Sequence, residues 1–179
     1  MLLAYHIPDK LYYIQRFLDY PTYKQLHYDV FKSKLINLNS TENSWEEALK
    51  YGFKSFVKSS RLDASYGPLQ KIKLLLENNA FHKIKIKDYK PTLHSMSDGS
   101  GINWHDDEGW EYGITYYVNR RWSTGFGGEF MFTSQEGHGF IPITGNSLVI
   151  VKSPFQHKVG PVLKPLVPRK TIQIFVDKY

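Results

Sequence analysis

The sequence predicts a mainly β protein with flanking helices (α+β), in which helices support a β-barrel or sandwich. Apolar residues recur at helical spacing in the first half, whereas short alternating runs separated by Gly-, Ser- and Pro-rich loops fill the second. Aromatic residues make up 16% of the chain, and they suit strands. With 179 residues we expect one domain, 1–179, with mainly helical support over 1–80 and a β core over 81–179.

Four stretches in the first half are predicted to be helical, and three of them have a recognisable start signal. Asp9 is placed to cap a helix whose apolar residues are spaced three and four apart. Ser44, followed three residues later by Glu47, forms a capping box that marks another start. Gly67-Pro68 precedes a further amphipathic stretch. The helical stretches in chain order are 11–18, 23–31, the segment after Ser44, and 69–79.

The second half changes to a period of two. Lys83–Lys87 alternates lysine with isoleucine, which is typical of a strand with one solvated face. The remaining predicted strands are Leu93–Met96, Tyr112–Val118, Glu129–Thr133, Ser147–Val151 and Thr171–Val176. Between them lie glycine-rich loops, one of which contains His138.

The chain contains no cysteine, which excludes disulfides and thiolate metal ligands. Any metal site must therefore use histidines and carboxylates. The apolar start, Met1–Tyr5, is too short for a signal peptide, and no apolar run reaches membrane-spanning length. We expect a soluble, intracellular (cytoplasmic) protein with no membrane partner.

The net charge of +6 is confined to the first half of the chain. Residues 1–90 carry 15 Lys and Arg against 9 Asp and Glu, and residues 91–179 carry 8 against 8, so the excesses are 15 − 9 = 6 and 8 − 8 = 0. Such a balance indicates either a nucleic acid or acidic partner, or a solvated lysine-rich face. We favour the solvated face.

A histidine and a carboxylate two residues apart form the first candidate site. In an extended segment His105 and Asp107 project to one side and Asp106 to the other. A third ligand must come from a distant strand, either His157 or His138, and we favour His157 because an arginine-led strand follows it. Two imidazoles and one carboxylate are typical of the facial triad of non-haem iron(II) oxygenases, although the same donors suit Mn, Co, Ni or Zn.

The last strand begins with a second candidate feature. Arg169, Thr171 and Gln173 share one face of it, so the arginine is either a surface cation beside Lys170 or a bidentate clamp for a carboxylate near the triad. Tyr117 either adds a phenolic hydrogen bond or is simply packed in the core.

Seven elements of the second half occur together in a fixed order, and these carry a family resemblance. They are Trp104–Asp107, Tyr116–Asn119, Trp122, Gly127–Glu129, the turn 142–146 before Ser147–Ile150, His157–Val162 and Arg169–Thr171. Over residues 91–177 the chain resembles the prolyl-hydroxylase-like (prolyl 4-hydroxylase type) branch of the 2-oxoglutarate- and Fe(II)-dependent dioxygenases.

The resemblance implies a fold, cofactors and site residues. The fold would be a double-stranded β-helix, a distorted jelly roll with the N-terminal helices packed on one sheet and the catalytic core in residues 81–179. Fe(II), 2-oxoglutarate and O2 would be required. The metal ligands would be His105, Asp107 and His157. Arg169 would bind the distal carboxylate of 2-oxoglutarate, assisted by Thr171 and Tyr117. Gly127-Gly128-Glu129 would form a structural turn.

The chain departs from this family in two places. The family often has a tyrosine about ten residues before the first iron ligand, whereas this chain reads Leu93-His94-Ser95-Met96, which leaves Ser95 as a weak candidate for that contact. Arg169 follows His157 by 169 − 157 = 12 residues, slightly more than usual, and the loop 161–168 can absorb the excess.

The resemblance makes a prolyl residue in a peptide or protein the first expected substrate. A free amino acid or another small molecule is the alternative. A nucleic-acid demethylase would carry a second arginine in the last strand, which this chain lacks, so we do not expect a nucleic acid partner. A non-catalytic jelly-roll binding module conflicts with the intact triad. The aromatic residues expected to line the substrate entrance are Trp104, Trp110, Tyr112 and Trp122.

Overall fold

Two antiparallel sheets form the protein, seen in a computed structural model that describes residues 1–32, 47–54 and 57–178. Within these residues the strand order of the large sheet is β1-β2-β9-β6-β11-β4-β3 and that of the small sheet is β5-β10-β7-β8. The strands are β1 Leu2–Ile7, β2 Leu11–Gln15, β3 Lys58–Arg61, β4 Thr92–Met96, β5 Ile102–His105, β6 Tyr112–Tyr117, β7 Phe130–Ser134, β8 Gly137–Ile141, β9 Ser147–Lys152, β10 His157–Val159 and β11 Arg169–Val176. This is the predicted double-stranded β-helix with flanking helices.

Two of the helices cover one face of the large sheet, the small sheet packs on the other face, and a third, short helix contacts β5 of the small sheet. The two covering helices are α1 Tyr20–Phe31 and α3 Gly67–Asn78, the short helix is α2 Glu47–Lys50, and a 3-10 turn lies at Thr124–Phe126. Residues such as Leu26 of α1 and Ile72 of α3 are fully buried against Ile114 and Ile172 of the sheet. Each such side chain contributes about 1.5–3 kcal/mol by leaving water. The opposite face of the sheet carries the functional side chains.

The first predicted helix was wrong, because Leu11–Gln15 is a strand that pairs with β1 and β9. Leu11 and Tyr13 pack towards the small sheet, whereas Ile14 packs towards the helices. A strand buried on both faces has apolar residues at many spacings, which imitates a helical period. Asp9 lies in the hairpin turn with φ of 56°. Within the described part of the first 80 residues there are therefore three strands as well as helices.

Lys83–Lys87 was also predicted wrongly, because it joins neither sheet. Its alternation is nevertheless real: Ile84 and Ile86 are buried in the helix-side core, and the three lysines are exposed. The His138 segment, expected as a loop, is strand β8. The short strands β3, β5 and β10 were not predicted, since three or four residues show little periodicity.

The other predicted elements are confirmed. The helical stretch 23–31 is the body of α1, whose N-cap Asp19 accepts a hydrogen bond from the Thr22 amide at 3.0 Å. The stretch 69–79 corresponds to α3, and the five later runs are β4, β6, β7, β9 and β11. Ser44 and the next two residues of the capping box lie outside the described residues. Among the described helices, none is long and apolar enough to cross a membrane.

Candidate metal centre

Two facing strands of the small sheet bring two histidines together. His105 ends β5 and His157 begins β10, and the two are direct partners in the antiparallel register with ring centroids 4.2 Å apart. Asp107 follows β5 with φ of 56° and turns back towards them. One ligand atom from each residue lies within 4.8 Å of the others. His157, and not His138, is thus the histidine that meets the other two residues.

The distances within this cluster suit a single ion. His105 Nε2 lies 3.6 Å from Asp107 Oδ1, and His157 Nε2 lies 3.4 Å from Asp107 Oδ2. Donor atoms that each stand about 2.0–2.2 Å from one metal lie about this far apart. Asp106 points away, as strand parity predicts, with its carboxylate accepting from the Glu108 amide at 3.1 Å and from Gln156 Nε2 at 3.3 Å.

Backbone carbonyls orient both imidazoles. His105 Nδ1 lies 2.7 Å from the Asn103 carbonyl oxygen, and His157 Nδ1 lies 2.7 Å from that of Phe155. A carbonyl only accepts, so Nδ1 carries the proton of the neutral ring and the Nε2 lone pair faces the cluster. Phe130 stacks on His157 at 5.0 Å, which further restricts that ring.

The protonation states are those that a metal site needs. Burial lowers the pKa of His105, and the neighbouring His157 lowers it further. Burial alone would raise the pKa of Asp107, but the hydrogen bond and charge of His157, with His105 and His94, lower it overall. A neutral imidazole and an ionised carboxylate are ready to coordinate a cation without first releasing protons.

Gly113 makes room for the Asp107 carboxylate. A Cβ atom on Gly113 would lie 2.4 Å from Asp107 Oδ2, which is closer than non-bonded atoms approach. Gly113 lies in β6 opposite Phe175 of β11, so the carboxylate rests directly on the large sheet. No local pattern in the sequence points to this glycine, because its role depends on a contact between the two sheets.

Arg169 lies at the bottom of the space between the sheets, only 1% exposed. Its Nε donates to the Gly128 carbonyl at 3.0 Å, its Nη1 lies 3.4 Å from Met96 Sδ, and its guanidinium carbon is 5.4 Å from the centre of the Tyr117 ring. The arginine is therefore not the surface cation considered above.

Two buried polar atoms in this space lack a hydrogen-bond partner among the described residues. They are Arg169 Nη2 and the Tyr117 hydroxyl. Burial raises the pKa of Tyr117 to about 12, so the hydroxyl is a protonated donor. Leaving such groups unpaired costs about 1–3 kcal/mol each, and more for a charged one. Two convergent unpaired donors are what an incoming carboxylate would satisfy.

The register of the large sheet shows which other side chains share this space. His94, Thr171 and Tyr117 lie side by side on β4, β11 and β6. Direct partners in an antiparallel sheet project to the same face, so these three side chains share one face. Arg169 lies two residues before Thr171 in β11 and projects to that face as well, as predicted. Ser95 pairs with Lys170 and projects to the opposite face, which removes it as a candidate.

His94 is the residue that the sequence analysis missed. It is 3% exposed, and burial lowers its pKa to about 3, with the Arg169 charge adding to this and Asp107 opposing it. It is therefore a neutral imidazole that interacts with both the arginine and the triad. A histidine within the predicted strand Leu93–Met96 was the available signal.

An open groove of about 1020 Å³ runs from the triad over the large sheet. Trp110 lines it as expected, stacked on Phe175 at 5.3 Å. The other three predicted entrance residues do not. Tyr112 lies in the core on the helix side, Trp122 donates its indole hydrogen to the Gly127 carbonyl at 2.8 Å, and Trp104 lies outside the groove beneath the Lys158 ammonium.

Known proteins resemble this chain in sequence over part of its length and in fold over nearly all of it. Residues 91–177 match the 2OG-Fe(II) oxygenase superfamily. No curated protein matches the sequence. A prolyl-4-hydroxylase from Pseudomonas putida is 13% identical with a TM-score of 0.70, covering 95% of this chain and 93% of that one.

Two further structures share the fold. A prolyl hydroxylase from Trichoplax adhaerens, solved with a peptide fragment of the oxygen degradation domain of hypoxia inducible factor, has a TM-score of 0.68 at 16% identity, covering 95% of this chain and 84% of that one. The non-haem alpha-ketoglutarate-dependent epimerase SnoN has a TM-score of 0.64 at 11% identity, covering 94% and 79%. At these identities the likeness shows the fold alone.

Proposed function

Residues 91–177 match the 2OG-Fe(II) oxygenase superfamily, and from this premise we propose that the chain is a dioxygenase that hydroxylates a prolyl residue in a peptide or protein. As a dioxygenase of this superfamily it uses Fe(II), 2-oxoglutarate and O2. The observation that carries the proposal is the pairing of a partly buried His-Asp-His cluster with a buried arginine that has an unused donor.

His105, Asp107 and His157 are the proposed iron ligands. These three residues would hold the ion, and a set of three protein ligands would leave coordination positions for the cosubstrate and O2. When bound, Fe(II) with its cosubstrate and O2 supplies the oxidation of a C–H bond to an alcohol, coupled to the decarboxylation of 2-oxoglutarate to succinate. The chain's part is to hold the three ligands in the correct protonation states and to present the substrate beside them.

Arg169 is the proposed anchor for the distal carboxylate of 2-oxoglutarate. Its unused Nη2 and the Tyr117 hydroxyl are both buried donors, and Thr171 lies between them in the register. His94 replaces Ser95 as the additional contact, since it projects into the same space. The charges balance, because Fe2+ and Arg169 together offset Asp107 and the cosubstrate dianion.

The groove supports a peptide as the substrate, since it is open and continuous with the triad. The stacked pair of Trp110 and Phe175 offers an apolar wall against which a pyrrolidine ring can pack. The Trichoplax neighbour is a prolyl hydroxylase seen with a peptide fragment, which favours the same class here. A free amino acid is the second candidate, favoured by a cationic side chain in the groove wall, Arg61.

Anaerobic titration with Fe(II) and 2-oxoglutarate tests the site. We expect the visible charge-transfer band of the iron–cosubstrate chelate in the unmodified protein, its loss in His157→Ala, and its retention in the matched control His138→Ala. Absence of the band from the unmodified protein, or an undiminished band in His157→Ala, would contradict the proposal.

Two further measurements address the cosubstrate and the substrate. His94→Leu should weaken 2-oxoglutarate binding, whereas Ser95→Ala should leave it unchanged, and equal effects would reject our choice of His94. Succinate release above the uncoupled rate, measured with prolyl peptides and with free amino acids, separates the two substrate candidates.

A further inference from the structure

A single arginine on the edge strand of the large sheet lines the groove beside the triad. Arg61 ends β3 and is the direct register partner of Thr92 in β4. Both residues line the same groove as His105 and Asp107. Arg61 therefore projects to the functional face of the sheet.

The charge of Arg61 is not compensated within the described part of the chain. Its Nη1 donates to the Lys90 carbonyl oxygen at 2.9 Å, which leaves most of its five donor hydrogens unused, and it has no carboxylate partner there. The other groove cations are engaged differently. Lys90 forms an ion pair with Asp88, and Lys178 donates to the Glu108 carbonyl oxygen.

The register places Arg61 within reach of a small molecule bound at the metal ligands. Arg61, Thr92 and Gln173 form one row across β3, β4 and β11, and the next row along β11 contains Phe175, whose partner Gly113 in β6 lies beneath Asp107. Three strand spacings separate β3 from β6, or about 14 Å. An extended arginine side chain covers part of that distance, so a substrate that lies in the groove between them can touch both the guanidinium and the reacting centre.

The rest of the groove wall carries more carboxylates than cations. Asp106 and Glu108 flank the ligand Asp107 in sequence, and Asp177 follows β11. A carboxylate near these groups is repelled, whereas one over β3 meets an unpaired guanidinium whose planar fork matches its two oxygens. The charge pattern of the groove thus favours a carboxylate as the substrate group and favours its position over β3.

We propose that Arg61 is a substrate-recognition residue that binds a carboxylate of the molecule to be hydroxylated. This inference rests on the proposed function and narrows its substrate class. The carboxylate belongs either to a free amino acid or to an acidic side chain near the target proline of a peptide. Both sources present the same group to the guanidinium.

Two matched probe pairs distinguish these sources. Protein loaded anaerobically with Fe(II) and 2-oxoglutarate is titrated with L-proline and L-prolinamide, and with two short peptides that differ only in Asp or Asn beside the proline. Binding is measured from the change that each probe causes in the charge-transfer band. We expect the acidic member of one pair to bind about tenfold more tightly than its neutral partner, and that pair identifies the source.

Substitutions assign the preference to Arg61. Arg61→Met should abolish it, Arg61→Lys should retain part of it, and the groove control Lys178→Met should leave it intact, with melting temperatures confirming that each variant folds. The inference is overturned if neither pair shows a preference for the acidic member or if Arg61→Met preserves that preference. A loss of 2-oxoglutarate affinity in Arg61→Met also overturns it, since Arg61 would then serve the cosubstrate.

These outcomes are separable from a failure of the proposed function. Absence of the charge-transfer band from the unmodified protein contradicts the iron and 2-oxoglutarate site itself. An intact band without any carboxylate preference contradicts only the role of Arg61.

Discussion

Replacing Gly113 with alanine should impair metal binding while leaving the fold intact. A Cβ atom at this position would lie 2.4 Å from Asp107 Oδ2, whereas ordinary van der Waals contact begins at 3.4 Å. The carboxylate must therefore retreat by about 1 Å, since 3.4 − 2.4 = 1.0. The added Cβ atom would also lie 3.9 Å from a ring carbon of Phe175, which is an ordinary contact and requires no movement of that ring.

The consequence differs for stability and for metal affinity. Asp107 Oδ2 is the end of a short side chain that can rotate away, so the folded state loses little. Metal–ligand distances tolerate about 0.2 Å, and a 1 Å displacement is well outside that range. We expect Fe(II) affinity to fall at least about 10–100-fold, the range seen when supporting residues around metal ligands are changed.

Calorimetric titration with Fe(II) under anaerobic conditions, together with the melting temperature of the metal-free protein, measures both quantities. Gly109→Ala is the matched control, because Gly109 lines the same groove and an added Cβ meets nothing within 4 Å. Unchanged Fe(II) affinity in a folded Gly113→Ala variant would refute the assignment of Asp107 as a ligand.

Three further predictions concern the cosubstrate pocket, the fold and pH. Gly128→Ala adds a Cβ atom 2.9 Å from Arg169 Cδ, at a residue whose φ of 76° disfavours a side chain. The displaced arginine should weaken 2-oxoglutarate binding about tenfold while Fe(II) binding persists. Equal loss of both affinities would point to general unfolding. Asn146→Ala removes a side chain that bonds both backbone groups of Leu18 at 2.8 Å, and urea denaturation should show about 2–3 kcal/mol lower stability; a change below 1 kcal/mol would contradict this. The pKa of His94 is about 3 in the folded protein against an ordinary value of 6.5, so between these pH values only the unfolded chain binds a proton at this residue. The contribution of neutral His94 to the free energy of unfolding therefore falls as the pH drops from 6.5 towards 3. His94→Gln should therefore make the pH dependence of unfolding free energy shallower by up to about 1.4 kcal/mol per pH unit, and an unchanged slope would contradict the buried neutral state.

The helices and central strands were predictable where one face carries apolar side chains and the other carries polar ones. The apolar face of α3 and the alternation in β11 are examples, since each follows from local spacing. Leu11–Gln15 was mistaken for a helix because it is buried on both faces. The Lys83–Lys87 segment failed for a different reason. Its alternation correctly predicts which side chains are buried, but it does not reveal whether a neighbouring strand is present to pair with the segment.

The candidate site likewise contains residues that could be predicted from the sequence and residues that could not. Strand parity within a few residues selected Asp107 over Asp106, and the order of motifs selected His157 over His138 and pointed to Arg169. All of these depend on neighbours along the chain. Ser95 was the wrong choice in its strand, because only its pairing with Lys170 reveals that it projects away from the pocket.

The residue types and their order along the chain predict a donor set for a divalent cation and a jelly-roll scaffold to carry it, and they point to the arginine that we propose as the carboxylate anchor. The tertiary structure adds the placement of His94 beside Arg169, the need for Gly113 beneath Asp107, and the position of Arg61 in the groove wall. These contacts could not be predicted, because they arise from the register between strands far apart in the chain. Such register is set by the packing of whole sheets and leaves little trace in local residue spacing.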